Sequence, residues 1–332
     1  MDIYGTLGPA CQDPGILEDM FRQGMTGIRL NLSHTTLPQA AELIDNYHSA
    51  AAAQGIHGKL LIDLQGPELR MGNMAEPFFV EENRIYEDLP LPPIVAENLE
   101  KGDILLIDDG KILAEAVEGS TLRIVRGGLL KGGKSIAVQG KTVSGPAVTE
   151  KDRENLRAAK AYGVTGVMQP FVRSSEDLRE LKMAMEEAGC PDIRMFAKIE
   201  NMEGVRKLES FFSFADEIVI ARGDLGNAVP LWDLPVVQQK LSAACRRAGK
   251  PFMVVTQMLA SMEHCAVPTR AEVNDIFHAV KDGAASVMVT GETAVGEYPA
   301  EVIRYLANTV REAEKYCRSC EKAAVHAGGE RL

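Results

Sequence analysis

Apolar and polar positions along the chain repeat in two periods, one of two residues and one of about 3.6. Residues 1–5 read as a strand, followed by a loop with Gly8 and Pro9. Across residues 13–23, Ile16, Leu17, Met20 and Phe21 share one helical face, and Gly24 ends that helix. The unit repeats as a strand over 27–32, a helix to about residue 53, and a third strand, K-L-L-I-D-L, over 59–64.

Between residues 70 and 146 the helical period disappears. Short β-like runs at 104–107, 112–116, 122–125 and 135–138 alternate with Gly-rich turns, which predicts a small all-β insertion with two crossings to the main body. From Thr149, an N-cap with Asp152 at the third helical position, the βα rhythm resumes. Strands are expected at 166–170, 194–198, 217–221, 251–256 and 286–290. Helices are expected at 175–188, 205–212, 234–248, 269–281 and 299–316, the last with Pro299 in its first turn. Eight βα units predict an α/β fold: a closed (β/α)8 TIM barrel with the β-rich lid inserted after the third strand. The barrel comprises 1–69 and 147–316, the lid 70–146, and 317–332 a short frayed tail.

Composition narrows the partners. The formal net charge is -11, which argues against a nucleic-acid footprint. No apolar run approaches the length of a membrane span, and no signal-peptide pattern opens the chain. The six cysteines are scattered as reduced thiols of a cytoplasmic protein would be, and the C-x-x-C of Cys317 and Cys320 has no second pair to complete a zinc site.

The candidate chemistry sits at strand ends. Lys198 and Glu200 close one strand and Arg222 and Asp224 the next. Either these are two surface ion pairs, or neighbouring parallel strands build one site at the barrel's carboxyl face. The remaining ends carry Arg29, Asn31 and Ser33; Asp63; Arg173; Thr256 and Gln257; and Thr290 and Glu292. Together these make an anion-plus-metal face. Glu200 and Asp224 are hard oxygen donors without nearby His or Cys, so they favour Mg²⁺ or Mn²⁺. Asn31, Ser33 and Asp63 either hold a monovalent cation or form a structural hydrogen-bond network. His34 is the one histidine near this face. Residues 128–135, G-L-L-K-G-G-K-S, match a P-loop pattern but precede a strand-like run, where the phosphate-binding motif needs a helix. Lys134 within it either reaches a phosphate when the insertion closes or is a solvated turn lysine.

Long motifs in order then carry a resemblance. T-L-G-P-A at Thr6, I-R-L-N-L-S-H at Ile28, L-I-D-L-Q-G-P-E-L-R at Leu61 and K-I-E-N-M-E-G at Lys198 are joined by A-R-G-D-L-G at Ala221, T-Q-M-L-A-S-M at Thr256, P-T-R-A-E-V at Pro268 and G-E-T-A at Gly291. The chain resembles the pyruvate kinase family over nearly its whole length. The resemblance implies transfer of a phosphoryl group from phosphoenolpyruvate to ADP, giving pyruvate and ATP, with Mg²⁺ (or Mn²⁺) and K⁺ as cofactors. It places Mg²⁺ on Glu200 and Asp224, and K⁺ on Asn31, Ser33, Asp63 and the Leu64 carbonyl, with Glu68 matching the K⁺-requiring subtype. Lys198, Thr256 and Arg29 are the implied catalytic residues. Gly223, Asp224 and Thr256 would bind substrate; Arg29, His34, Arg70 and Lys134 would face the nucleotide; and Asp108 matches a lid aspartate. A homo-oligomer through the barrel is compatible with this reading.

Departures from the family are Leu64 and Gln65 for Thr-Lys, Asp2 for a lysine, Ala137 near an asparagine position, and Pro170 for Ser; all are expected near the nucleotide and cation sites. The family's C-terminal allosteric domain is expected to be absent. Two rival readings stay open: a metal-dependent aldolase or lyase acting on a 2-oxo acid through a pyruvate enolate, and a non-catalytic phosphoenolpyruvate-binding homologue.

Overall fold

The computed structural model describes residues 1–33, 35–67, 69–108, 110–141 and 145–329, with side chains to residue 320. Strands β1 (Asp2–Thr6), β2 (Gly27–Asn31) and β3 (Lys59–Asp63) begin the barrel. Helix α1 (Pro14–Gln23) and helix α2 (Ala41–Ala53) connect them. α1 starts where the Asp13 carboxylate accepts the Gly15 and Ile16 amides, and stops at Gly24, whose φ of +116° suits a residue without a Cβ.

After β3 the chain leaves the barrel. β4 (Phe78–Val80) and β5 (Ile85–Tyr86) come first, then a helix, α3 (Pro93–Asn98), then β6 (Ile104–Ile107), β7 (Ile112–Glu118), β8 (Thr121–Arg126), β9 (Gly128–Leu130) and β10 (Ile136–Val138). They form a five-stranded sheet in the order β10-β6-β7-β8-β5 and a β4-β9 pair. The insertion is thus β-rich with one helical segment, opened by Pro93 at its first position, where a missing N–H costs nothing. The P-loop-like residues run from β9 through a turn into β10, without a following helix.

The barrel resumes at α4 (Glu150–Ala158), where Thr149 and Asp152 form the expected capping box. It continues with β11 (Val164–Gln169), α5 (Ser175–Glu187), β12 (Arg194–Ile199), α6 (Met202–Lys207), β13 (Glu217–Ala221), α7 (Arg222–Ala228) and α8 (Leu234–Arg247). Then come β14 (Phe252–Val255), α9 (Arg270–Lys281), β15 (Ser286–Met288), α10 (Gly291–Ala294) and α11 (Pro299–Gly329). Among the described residues eight strands close in the order β1-β15-β14-β13-β12-β11-β3-β2, all parallel. One expectation needs correction: residues 317–329 are not a frayed tail but the continuation of α11. That stretch lacks Pro, has no Gly before Gly328 and is rich in strong helix formers, so nothing in it stops the helix at Tyr316. Among the described residues no helix is long and apolar enough to cross a membrane.

Three apolar clusters divide the molecule. One lies between strands and helices, one fills the insertion, and one fills the barrel with Tyr4, Leu61, Met168, Phe196, Val219, Met253 and Met288. Because side chains alternate along a strand, residues two positions either side of this layer also face inward, one layer towards each mouth. Asp63 and Lys198 lie towards the carboxyl mouth by this rule. Asp2, Lys59, Arg194, Glu217 and Ser286 lie towards the amino mouth. Asp2 is therefore at the opposite end from the cation and nucleotide region where the sequence reading put it, paired with Lys59 at 2.6 Å.

Candidate active site

At the carboxyl mouth, β2, β3 and β12 supply a chain of buried charges, the last reaching past β11. Arg29 Nη2 donates to Asp63 Oδ2 at 2.7 Å, and Lys198 Nζ donates to the same oxygen at 3.0 Å. Lys198 Nζ also lies 2.9 Å from Glu200 Oε1. Asp63 and Glu200 are 1% and 4% exposed. Burial alone would raise the Asp63 carboxyl, but Lys198 and Arg29 together hold it below the usual carboxylate range. Burial would likewise strip the Lys198 proton, yet the Asp63 and Glu200 carboxylates outweigh it and keep the ammonium charged. Burial pushes the Glu200 carboxyl up, with Lys198 only partly offsetting it. Two cations and two carboxylates thus share one dry cluster, and the Lys198–Glu200 pair is buried rather than the surface pair its sequence also allowed.

Above Glu200 opens a cleft of about 400 Å³ between insertion and barrel. Glu200, Asp224, Phe171 and Arg173 line it from the barrel, and Ser135 to Lys141 from the insertion. Glu200 and Asp224 reach it from the ends of consecutive strands, β12 and β13. The donor chemistry fits Mg²⁺ or Mn²⁺: Glu200 and Asp224 bring hard carboxylate oxygens to one cleft, and such an ion takes one or two carboxylates and fills its shell with substrate oxygens and water. For a monovalent cation, Asn31 and Asp63 are register partners on β2 and β3. Among the described residues Asp63 Oδ1 is buried without a hydrogen-bond partner, which fits a nearby cation. Asn31 Oδ1 also accepts the Ser33 amide at 3.1 Å, so a local turn orders these two residues. Leu64 is buried, its amide donating to the Met168 carbonyl.

The remaining sequence candidates divide. Gly223 is the second residue of the short α7. A Cβ on Gly223 would meet Thr256 Cγ2 at 3.2 Å, so Thr256 stands against the residue preceding Asp224. Arg222 turns outward from this cluster to Asp275, 2.6 Å away on α9. In the insertion, Lys134 pairs with Asp108 at 2.8 Å and Arg70 donates to the Gly133 carbonyl at 2.8 Å. Lys134 and Arg70 thus sit on the insertion, not in the buried cluster. His34 and Glu68 lie outside the described residues.

Two supporting residues were missed in the sequence. The Phe171 amide donates to Glu200 Oε2 at 2.8 Å, from a backbone with φ of +52°, fixing the second carboxylate oxygen. Asp152 does more than cap α4: its carboxylate also accepts the Gln65 and Gly66 amides at 2.8 and 3.1 Å. Both crossings to the insertion are thereby tied to one buried side chain, since Thr149 on the return crossing donates to it too. The capping box made Asp152 visible; its second role needed contacts across 86 residues.

A family model described as "Pyruvate kinase, barrel domain" matches residues 1–85 and 80–303. The chain is 35% identical over 324 residues to "Pyruvate kinase" of Aeropyrum pernix, covering 94% of this chain and 70% of that one. It is 36% identical over 334 residues to "Pyruvate kinase" of Methylorubrum extorquens, covering 94% and 68%. To "Pyruvate kinase" of Sporosarcina psychrophila it is 33% identical over 322 residues, covering 91% of this chain and 55% of the relative. The chain therefore spans between about half and seven tenths of the length of these curated relatives.

Proposed function

The chain belongs to the pyruvate kinase family, and from that premise we propose that it transfers the phosphoryl group of phosphoenolpyruvate to ADP, giving pyruvate and ATP as a cytoplasmic enzyme at the end of glycolysis. The observation that carries this reading is the buried Arg29–Asp63–Lys198–Glu200 cluster beneath a cleft that the insertion covers.

Phosphoryl transfer asks mainly for positioning and charge neutralisation. The bond between phosphorus and the enol oxygen breaks as a terminal oxygen of ADP bonds to phosphorus. Arg29 and Lys198 offer fixed positive charge to the moving group. Lys198, held charged by Asp63 and Glu200, then balances the enolate left behind. Gly223 and Asp224 offer backbone N–H groups to the substrate carboxylate. Thr256, beside Gly223, serves the protonation at carbon that yields pyruvate. Mg²⁺ or Mn²⁺, held by Glu200 and Asp224, would supply charge neutralisation for the phosphoryl and carboxylate oxygens. K⁺ would be held by Asn31, Ser33, Asp63 and the Leu64 carbonyl.

The insertion acts as a lid that turns Lys134 and Arg70 to the nucleotide when it closes. Closure excludes water and strengthens each charge interaction beneath it. The covered cleft favours this reading over a lyase, which has no need of a nucleotide-facing lid. The test is pyruvate formation from phosphoenolpyruvate and Mg²⁺, with and without ADP, in K⁺ and in Na⁺. ADP-dependent pyruvate, faster in K⁺, is expected. Its absence under all four conditions would overturn the kinase reading.

A further inference from the structure

Two consecutive residues after β14 hold backbone conformations that residues with side chains seldom adopt: Thr256 at φ +80° and Gln257 at φ +55°. For a β-branched residue this is a genuine outlier, and it persists only where the surroundings over-determine it. Arg222 supplies that constraint. Its Nε and Nη2 both donate to the Thr256 carbonyl, at 3.2 and 2.8 Å. Its Nη1 donates to Asp275 Oδ1 at 2.8 Å and meets Gln238 Oε1 at 3.5 Å, while Nη2 also lies 2.9 Å from the Met258 sulfur. One mostly buried guanidinium therefore joins the ends of β13 and β14 to α8 and α9. Gly223 completes the brace, its missing side chain letting Thr256 pack close.

We propose that Arg222 is a positioning residue for Thr256, and that Asp275 in turn positions Arg222. The guanidinium fork holds the Thr256 carbonyl, which fixes the strained backbone and so the direction of the hydroxyl. The proposal rests on the reading that Thr256 serves enolate protonation. It explains why Arg222, at a strand end among metal and substrate residues, directs its charge to Asp275 and a main-chain carbonyl. A lysine carries the same charge but cannot place two donors on that carbonyl while holding the carboxylate. A displacement of about 1 Å in a reacting group is enough for a rate loss on the order of 10²-fold.

The test compares Arg222→Lys, Asp275→Asn, Thr256→Ala and the Arg222→Lys/Thr256→Ala double variant, each with Mg²⁺ and K⁺. Arg222→Lys is expected to lower kcat by roughly tenfold or more while KM for phosphoenolpyruvate stays within about twofold; Asp275→Asn should act in the same direction, less strongly. In the Thr256→Ala background, Arg222→Lys should cost less than about twofold, because residues acting as a unit are non-additive. An equal fold loss in both backgrounds, or an unchanged kcat, overturns the proposal. Should Arg222→Lys fail to fold, Asp275→Asn combined with Thr256→Ala gives the same comparison. A wild type that forms no ADP-dependent pyruvate defeats the functional reading and the clamp with it; an active wild type with additive variants defeats the clamp alone.

Discussion

The two mouths of the barrel each bury a carboxylate beside an arginine, yet they treat it in opposite ways. At the carboxyl mouth Asp63 meets two cations, Arg29 and Lys198. At the amino mouth Glu217 meets one, Arg194 at 3.1 Å, whose side chain is 42% exposed and stacked on Phe196. Ser286 Oγ supplies its other partner. Burial pushes the Glu217 carboxyl above its usual value, and Ser286 and Arg194 do not fully offset it. Asp63, more deeply buried, is held below. Two buried cations offset burial at Asp63, whereas one half-exposed arginine, with Asp2 adding negative charge nearby, does not offset it at Glu217. One mouth gathers two cations on a shared buried carboxylate beneath the cleft, and the other sets separate pairs, Arg194–Glu217 and Lys59–Asp2, around the end of the core.

Exchanging cations for apolar groups at each mouth gives the largest test. Lys198→Met should lower pyruvate formation by about 10³-fold while leaving the fold intact by circular dichroism, whereas Arg194→Met should leave turnover within about twofold. Comparable losses from both would mean that the amino mouth takes part in the chemistry. Next in size, Asp63→Ala leaves Arg29 and Lys198 buried without their shared partner and should cost about 3–5 kcal/mol in urea unfolding. A loss below about 1 kcal/mol would mean water or relaxation solvates both cations.

Glu217→Gln should change stability by no more than about 1 kcal/mol, and its pH dependence is more telling than its size. A raised folded-state pKa means the folded protein binds the proton more tightly, so wild-type stability from this group is fully present below the ordinary value, 4.5, and is lost as pH rises through the folded value. The variant should therefore gain on wild type as pH climbs from about 4 to 8. A variant that loses ground over that range would show the Arg194 pair outweighing burial. Smallest of all, Lys59→Met removes the half-exposed pair with Asp2 and should cost no more than about 1 kcal/mol by thermal unfolding.

The carboxyl mouth was legible because its signal is local. Period-two runs ending in charges, repeated with a βα rhythm, put Arg29, Asp63, Lys198 and Glu200 at one face before any contact was known. The Thr149–Asp152 box was equally local. The amino mouth was overlooked although E-I-V-I-A at Glu217 opens an apolar strand with a carboxylate, a sign that a charge faces the barrel's other end. Asp2, read at the wrong mouth, could have been placed by counting two residues back from Tyr4. What the sequence hid was non-local or conformational. Asp275 lies 53 residues from Arg222. Nothing in T-Q-M marks two left-handed residues.

Barrel closure has a consequence for how the chain is made. The last barrel ladder joins Asp2, Ile3 and Tyr4 to Ser286, Val287 and Met288. During vectorial synthesis β1 can pair with β2 early, but its other edge waits for β15. At typical elongation rates that wait is on the order of 15–60 s. Over that interval an apolar strand with one open row of amides and carbonyls is a template for mispairing. The insertion faces no such delay, since its strands find their partners between residues 78 and 138. Protection of the nascent chain is therefore needed most at Asp2–Thr6, which is made long before its β15 partner and is among the last strands to be enclosed.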